Sequence, residues 1–394
     1  MSNPNRVLFF IPTMEVGGAE QVCLNYLNHL RTLERFLLLQ IRKGPLLHKL
    51  DPDVTVLEIR QGESSNSEGL GRWNHLKLVR MMRLLGNAQR VASLARQYQC
   101  SLVASFITAA NIITILAKVF FYRRLKVVIN VHDVTSRILE HTTLSRSSRF
   151  VLRQLIRFLY PRADAIVAVA HGIKRDLIES FGVPAQKIVV IYNPIDVQGV
   201  RLRAVESVAH PWFVDRSEPV ILAVGRLVKL KGFDLLIRAF AQLSMKAKLV
   251  IIGEGEERSS LEHLIIDLGL TDRVALLGFQ ENPWKYMARA DLFVLSSLTE
   301  GMPNVVGEAM ALGLPIVATD CSPGVREYLD EGRAGLLVPP SDTRALASGL
   351  ERLLSDELLR KELAQKGRER IAQFELATAV GAYEKLLESL TRNA

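Results

Sequence analysis

The stretch Asp291-Leu292-Phe293-Val294-Leu295, followed shortly by Thr299-Glu300-Gly301-Met302-Pro303-Asn304-Val305-Val306-Gly307-Glu308, decides how this chain is read. The apolar run reads as a buried strand. The turn after it opens a helix, with Pro303 at the first position, where its missing N–H costs nothing. The amides of Asn304 and Val305 then have no intrahelical acceptor and point out of the positive end of the helix, a setting that suits an anion. Glu300 stands just before the turn. Glu308 lies one helical turn beyond Asn304, so those two share a face. An ionised carboxylate only accepts hydrogen bonds, and a vicinal pair of hydroxyls offers it two donors. The plainer alternative is an acidic cap and a solvated helix face.

The same strand-then-helix alternation extends in both directions, the signature of parallel α/β sheets. Residues 7–11 form an apolar run, 12–18 a loop, and the next helix places Ala19, Val22, Cys23, Tyr26, Leu27 and Leu30 on one stripe. Further strands are expected at 36–41, 54–59, 102–105, 127–131, 165–169 and 188–191. Residues 197–218 hold Pro211, Trp212 and several charges without a sustained apolar period. A second series begins at 219–225 and continues through 248–252, 274–277, 292–295, 315–318 and 335–338, before helical segments at 342–355 and 356–391. The expected organisation is therefore one domain over 1–200, a linker over 201–218 and a second domain over 219–394, with the final helix free to pack back on the first. Two open parallel sheets facing each other leave a cleft between the carboxyl ends of their strands, where ligands bind in such folds.

The 394 residues suffice for two domains, and 48% apolar with 23% charged residues is a globular profile. Cys23, Cys100 and Cys321 are few and far apart, with neither a metal spacing nor a disulfide framework, which fits a reducing cytosol. The N-terminus lacks the basic region and long apolar core of a signal peptide, and the apolar stretch 111–121, interrupted by Lys118, is too short to span a bilayer. Residues 1–200 carry 26 Lys+Arg and 14 Asp+Glu, net +12; the chain totals of 50 and 41 leave 24 and 27 for the remainder, net −3. The excess gathers in Arg72, Lys77, Arg80, Arg83, Arg90 and Arg96, in Arg123, Arg124 and Lys126 beside Phe120, Phe121 and Tyr122, and in Arg146, Arg149, Arg153 and Arg157 at helical spacing. Such a face suits anionic lipid headgroups or a lipid diphosphate; a merely solvated face is the alternative. No nucleic-acid module accompanies it, so nucleic acid is not expected as a partner.

Candidate chemistry follows the strands of the second half. Gly225-Arg226-Leu227-Val228-Lys229-Leu230-Lys231-Gly232 puts Arg226 and Lys231 on a strand-to-helix loop, where a guanidinium fork and a compact ammonium could together neutralise a diphosphate without a metal. It is not a P-loop. Gly253-Glu254-Gly255 permits close backbone approach to a flat ligand, though Arg258 stands where a dinucleotide fingerprint has its third glycine. In the first half, Gly17 and Gly18 precede a helix, and His132 with Asp133 ends an apolar strand. Each of these has a structural alternative: a tight turn for the glycines and a packed imidazole for His132. Asp51-Pro52-Asp53 precedes a strand and reads as a turn, and His171 as a helix-start residue. Nothing supports a hydrolytic triad or a zinc site.

Taken together these pieces resemble the family-four retaining glycosyltransferases of the GT-B fold, over essentially the whole chain. The resemblance rests on Gly-Gly-Ala-Glu at 17–20, Val-His-Asp at 131–133, Asn-Pro-Ile-Asp at 193–196, Gly-Arg…Lys-Gly at 225–232, Gly-Glu-Gly at 253–255, the two glutamates at 300 and 308, and Ala-Met-Ala-Leu-Gly-Leu-Pro-Ile-Val-Ala-Thr-Asp at 309–320. The first loop and Glu-Gly-Met-Pro-Asn are similar to bacterial members that extend lipid-linked polysaccharide or O-antigen precursors. The resemblance implies two Rossmann-like parallel-sheet domains facing across a cleft. It implies catalytic roles for His132 and Glu300, facing the donor sugar. Arg226, Lys231, Gly253, Gly301, Met302, Pro303, Asn304, Val305 and Glu308 would bind the donor: the two cations its diphosphate, Glu308 the ribose hydroxyls. Gly17 and Gly18 would shape the acceptor pocket. Many members have glycine where this chain has Pro194, so Asn193 is given no chemical role.

The implied activity is transfer of a hexosyl or N-acetylhexosaminyl group, with retention, from a nucleotide-diphosphate sugar, UDP favoured, to a glycan or polyprenyl-diphosphate-linked acceptor. No metal and no cofactor beyond the nucleotide sugar are expected, and the enzyme is expected in the cytoplasm, peripherally on the inner face of the cytoplasmic membrane. A sugar-nucleotide epimerase of the same architecture and a non-catalytic carbohydrate- or membrane-binding scaffold are the competing readings; oligomeric state is left open.

Overall fold

The structure, a computed structural model, describes residues 3–59, 73–141 and 144–392. Arg72 of the expected basic stretch lies outside the described residues. The chain divides into two compact units, Met1–Pro194 together with Ala379–Ala394, and Ile195–Thr378.

The first unit is built on a seven-stranded parallel sheet of β1 (Asn3–Ile11), β2 (Glu34–Leu39), β3 (Thr55–Glu58), β4 (Cys100–Phe106), β5 (Lys126–Val131), β6 (Ala165–Ala168) and β7 (Ile188–Val190), in the order β3-β2-β1-β4-β5-β6-β7. The central strands are unbroken apolar runs because helices cover both faces; Val7 to Ile11 are wholly buried. The chain steps outward from β1 to β3, then resumes at β4 on the other side of β1. That reversal makes a switch point, which opens the carboxyl ends of β1 and β4. The last helix, Leu376–Thr391, closes the core of this unit. Tyr383 stacks on Tyr26 at 4.1 Å, and its hydroxyl accepts from Asn130 Nδ2 at 2.9 Å. Asn111 Nδ2 donates to the Asn130 carbonyl at 2.9 Å, and Ser105 Oγ to Asn111 Oδ1 at 2.8 Å, so the buried amides are satisfied.

The second unit repeats the logic with six parallel strands: β8 (Val220–Val224), β9 (Lys248–Ile252), β10 (Val274–Leu276), β11 (Leu292–Leu295), β12 (Ile316–Thr319) and β13 (Leu336–Val338), in the order β10-β9-β8-β11-β12-β13. Its switch point lies between β8 and β11. Asp291 Oδ2 accepts from Val220 N at 2.8 Å and pins the start of one strand to the other. Leu236, Ile237, Phe240, Leu249, Val294 and Leu350 form part of the buried core.

Two stretches differ from expectation in their helices. Residues 356–391 form two helices, Glu357–Arg370 and Leu376–Thr391, separated by a tight turn at Ile371–Phe374. The break exists because Phe374 is wholly buried, 4.7 Å from the Tyr328 ring, while Arg370 donates to the Glu327 and Tyr328 carbonyls. Within 197–218, which shows no apolar period, Val197–Ala204 and Pro211–Val214 are helical. No described helix is long and apolar enough to cross a membrane.

Candidate active site

The loops that leave β8, β9, β11 and β12 at their carboxyl ends are tied to one another. Gly253, at φ +145°, passes so close to the β8 loop that a Cβ there would stand 1.9 Å from the Gly225 carbonyl oxygen, and Leu227 N donates to the Glu254 carbonyl at 2.9 Å. On the other side Gly232, at φ +59°, abuts the Ser296 carbonyl, which a Cβ would meet at 2.4 Å. Ser296 Oγ returns a hydrogen bond to the Lys231 carbonyl at 2.8 Å. Both glycines are required, because no other residue fits these dihedrals and clearances. Arg226 and Lys231 therefore sit at the switch point, Arg226 exposed and Lys231 partly covered.

Lys231 Nζ meets Glu300 Oε1 at 2.5 Å, and Ser297 Oγ donates to the same oxygen at 2.6 Å. With side chains only 21% and 13% exposed, the ion pair is largely screened from solvent. The segment holding Glu300 is itself fixed: Thr319 Oγ1 donates to the Ser297 carbonyl at 2.6 Å and Ser322 Oγ to the Gly301 carbonyl at 2.9 Å. The helix begins at Asn304, with Pro303 in the capping position, one residue before the first helical position expected for it. Gly301, Met302 and Pro303 are buried, and Asn304 and Val305 form the first turn at the positive end of the helix dipole.

Glu308 occupies a different setting, among Trp284, Arg203 and Tyr328. Burial raises its carboxyl to about 7, against the opposing pull of the Trp284 indole and the Arg203 charge. The buried indole N–H is directed at Glu308 and has no other acceptor. Sequence reasoning missed all three neighbours. Arg203 lies where no apolar pattern signalled a structured element, and Trp284 and Tyr328 belong to short helices with no recognisable motif.

In the first unit His132 follows β5, its ring 5.7 Å from and nearly parallel to Phe106. Burial lowers its pKa to about 4, with the Asn193 side chain opposing, so the ring is neutral near pH 7. Both ring nitrogens are buried without a well-formed hydrogen bond. Asn193, given no role from sequence, is thus the polar group next to this imidazole, and is itself buried. At the start of helix Gly18–His29, the Glu20 carboxylate covers Gly17, where a Cβ would lie 2.3 Å from Oε2; Gly18 has open space. Asp51 forms the expected turn: its Oδ1 accepts from Asp53 N at 3.0 Å and Oδ2 pairs with Arg31 at 2.5 Å.

The structure thus joins Lys231 to Glu300, places Arg226 and Gly253 on the adjoining loops, and sets Glu308 one turn further along the helix. His132, Gly17 and Gly18 belong to the other unit. Two parallel sheets, each with a switch point, define a doubly wound α/β architecture. Comparison with known proteins specifies it. Residues 16–198 match the profile of Glycosyltransferase Family 4, and residues 209–370 that of Glycosyl transferases group 1. A Campylobacter jejuni N-acetylgalactosamine-N,N'-diacetylbacillosaminyl-diphospho-undecaprenol 4-alpha-N-acetylgalactosaminyltransferase is 32% identical over 93% of this chain and 94% of its own length. Among solved structures, Anabaena HepE in complex with UDP-glucose aligns with a TM-score of 0.78 at 23% identity over 98% of this chain and 99% of its own. Sucrose-phosphate synthase from Thermosynechococcus elongatus aligns with a TM-score of 0.80 at 19% identity, over 99% of this chain and 100% of its own. The chain is an enzyme of the glycosyltransferase class. It belongs to the family-four glycosyltransferases of the GT-B fold.

Proposed function

We propose that this enzyme transfers a hexosyl or N-acetylhexosaminyl group, with retained configuration, from a UDP-sugar to a saccharide carried on a polyprenyl diphosphate, in the synthesis of a surface polysaccharide. One observation carries the reading: Arg226 and Lys231 stand at the β8/β11 switch point, beside a helix start and a fixed carboxylate. The relative's undecaprenol-linked substrate supports the acceptor class, and the UDP-glucose complex of the structural neighbour supports the donor. In the reaction, the acceptor oxygen bonds to the anomeric carbon as the bond to the diphosphate breaks on the same face, and the acceptor proton passes to the departing phosphate oxygen. The protein's largest task is to stabilise the charge that gathers on that diphosphate. Arg226 and Lys231 supply the counter-charge that a metal supplies elsewhere. Glu300 accepts from a sugar hydroxyl and, through its ion pair, aims Lys231. The neutral His132 of the first unit retains a ring N–H with which to donate to a sugar hydroxyl.

Purified protein incubated with UDP-sugars and a polyprenyl-diphosphate acceptor should form glycosylated lipid, and Arg226→Ala should lower kcat/KM by about 100-fold or more. Near-normal turnover of that variant overturns the assignment, and free product formed without acceptor would make the protein an epimerase.

The membrane partner is part of the same proposal, at the inner face of the cytoplasmic membrane. Helix Arg146–Leu159 exposes Phe150 (63%), Val151 (55%) and Phe158 (61%), and Arg146 and Arg157 are exposed too. Phe150, which shares the face of Arg146 and Arg157, and the adjoining Val151 and Phe158 suit the headgroup boundary of an anionic bilayer.

A further inference from the structure

We propose that Arg203, Trp284 and Tyr328 are positioning residues for Glu308, a shell that aims its carboxylate at the paired hydroxyls of the donor's pentose. The inference rests on the reading of Glu308 as the group that holds that pentose.

Three separate elements deliver the three side chains. Helix Val197–Ala204, helix Trp284–Met287 and helix Pro323–Tyr328 each pack against helix Asn304–Leu312, which carries Glu308. Arg203 is held in place although its side chain is 42% exposed. Its Nε donates to the Gly199 carbonyl at 3.2 Å, an Nη lies 3.8 Å from Asp196 Oδ2, and its guanidinium carbon stands 4.0 Å above the Trp284 ring. Stacking fixes the plane of the guanidinium, which lysine could not reproduce. Tyr328 is wholly buried, and the Glu308 charge adds to burial in pushing its phenol pKa upward, so the two groups face each other. The helix comes this close only because residue 307 is glycine: a Cβ there would lie 3.1 Å from the Tyr328 hydroxyl and 2.9 Å from Ile195.

The buried Trp284 N–H has no acceptor but Glu308, and the Tyr328 hydroxyl is buried without a hydrogen-bond partner. A buried donor left unmade costs more than a made one returns, so two donors with no other outlet beside one carboxylate need an explanation. Donors poised beside Glu308 serve a carboxylate that turns to take up hydroxyls: one oxygen accepts from the ligand while the other is steadied by the shell. The other cations packed against this helix are engaged elsewhere. Arg201 donates to the Ala311 carbonyl, Arg370 to the Glu327 and Tyr328 carbonyls, and Arg368 packs at Gly313. Arg203 is therefore the charge that favours ionised Glu308. Because burial holds that carboxyl near 7, a change in the shell is felt within the working pH range.

The test is calorimetric binding of UDP and of inorganic pyrophosphate, which lacks the pentose, to the full chain between pH 6 and 8.5. Arg203→Gln, Trp284→Phe and Tyr328→Phe are compared with Glu308→Gln. Arg203→Gln and Trp284→Phe should weaken UDP about tenfold at pH 6.5 and less at pH 8.5, because the acid limb moves upward. Tyr328→Phe should weaken UDP at every pH. Pyrophosphate binding should be unchanged in all three, which a general loss of structure would not allow. Trp284→Phe keeps an aromatic ring under Arg203, so it serves as the test if Arg203→Gln does not fold. If the three variants bind UDP as the parent does while Glu308→Gln binds it poorly, the shell has no positioning role. If Glu308→Gln also binds UDP normally, the pentose reading itself fails.

Discussion

Replacing Glu308 by glutamine should stabilise the unliganded enzyme, and by an amount that depends on pH. The carboxyl rises from an ordinary 4.5 to about 7 in the folded chain, with burial as the main cause. The folded state then keeps a proton that the unfolded chain releases above pH 4.5. Stability from this group is therefore full below about 4.5, declines as the pH rises, and is lost above about 7. At 1.36 kcal/mol per pH unit the difference amounts to about 3 kcal/mol at pH 8. Glutamine carries no charge to desolvate, but its amide must find partners in the same space, so a gain of about 1–3 kcal/mol is expected at pH 8. Urea unfolding of parent and Glu308→Gln at pH 5 and pH 8 measures it. The gap between the two proteins should be small at pH 5 and open toward pH 8. A variant less stable than the parent at pH 8, or a gap that does not change with pH, would refute the view that Glu308 is a desolvated carboxylate kept for ligand binding.

Lys231→Met should lower stability by about 1–3 kcal/mol as well as remove activity, because it strands Glu300, which is only 13% exposed. Adding Glu300→Gln should restore stability without activity; a Lys231→Met protein as stable as the parent would show that the pair contributes nothing to the fold. Gly253→Ala should misplace the β8 loop, since its Cβ would overlap the Gly225 carbonyl, and should cost at least about 1–3 kcal/mol together with most UDP binding; unchanged UDP affinity would count against that loop as part of the donor site. Charge reversal at Arg146 and Arg157 should abolish salt-sensitive co-sedimentation with anionic vesicles, and Phe158→Ser should weaken it at all salt concentrations; equal binding to neutral vesicles would exclude the electrostatic account.

Both sheets were legible in the sequence, for a physical reason. A parallel strand buried on two faces must be apolar at every position, and runs such as 7–11 and 220–224 satisfy that without ambiguity. Strand ends drifted by one or two residues, as with Glu34–Leu39 against 36–41 and Leu336–Val338 against 335–338, because polarity changes gradually where a strand leaves the core. The placement of Arg226, Lys231 and Glu300 on loops that leave buried strands was legible because the apolar runs before them end abruptly at glycine, polar or charged residues. The surroundings of Glu308 were not. Arg203 acts by stacking on Trp284, Tyr328 by a single hydroxyl, and Asn193 by lying next to His132. Each is a contact between residues distant in the chain, and none leaves a periodic trace.

The first unit takes its final helix from the far end of the chain, while the second is one uninterrupted segment. During synthesis from the N-terminus, the sheet of β1 to β7 exists for nearly two hundred residues with Tyr26 and Asn130 still waiting for Tyr383. The later-made half can therefore finish first on the ribosome, and the earlier half is sealed only after all of the later half has been made.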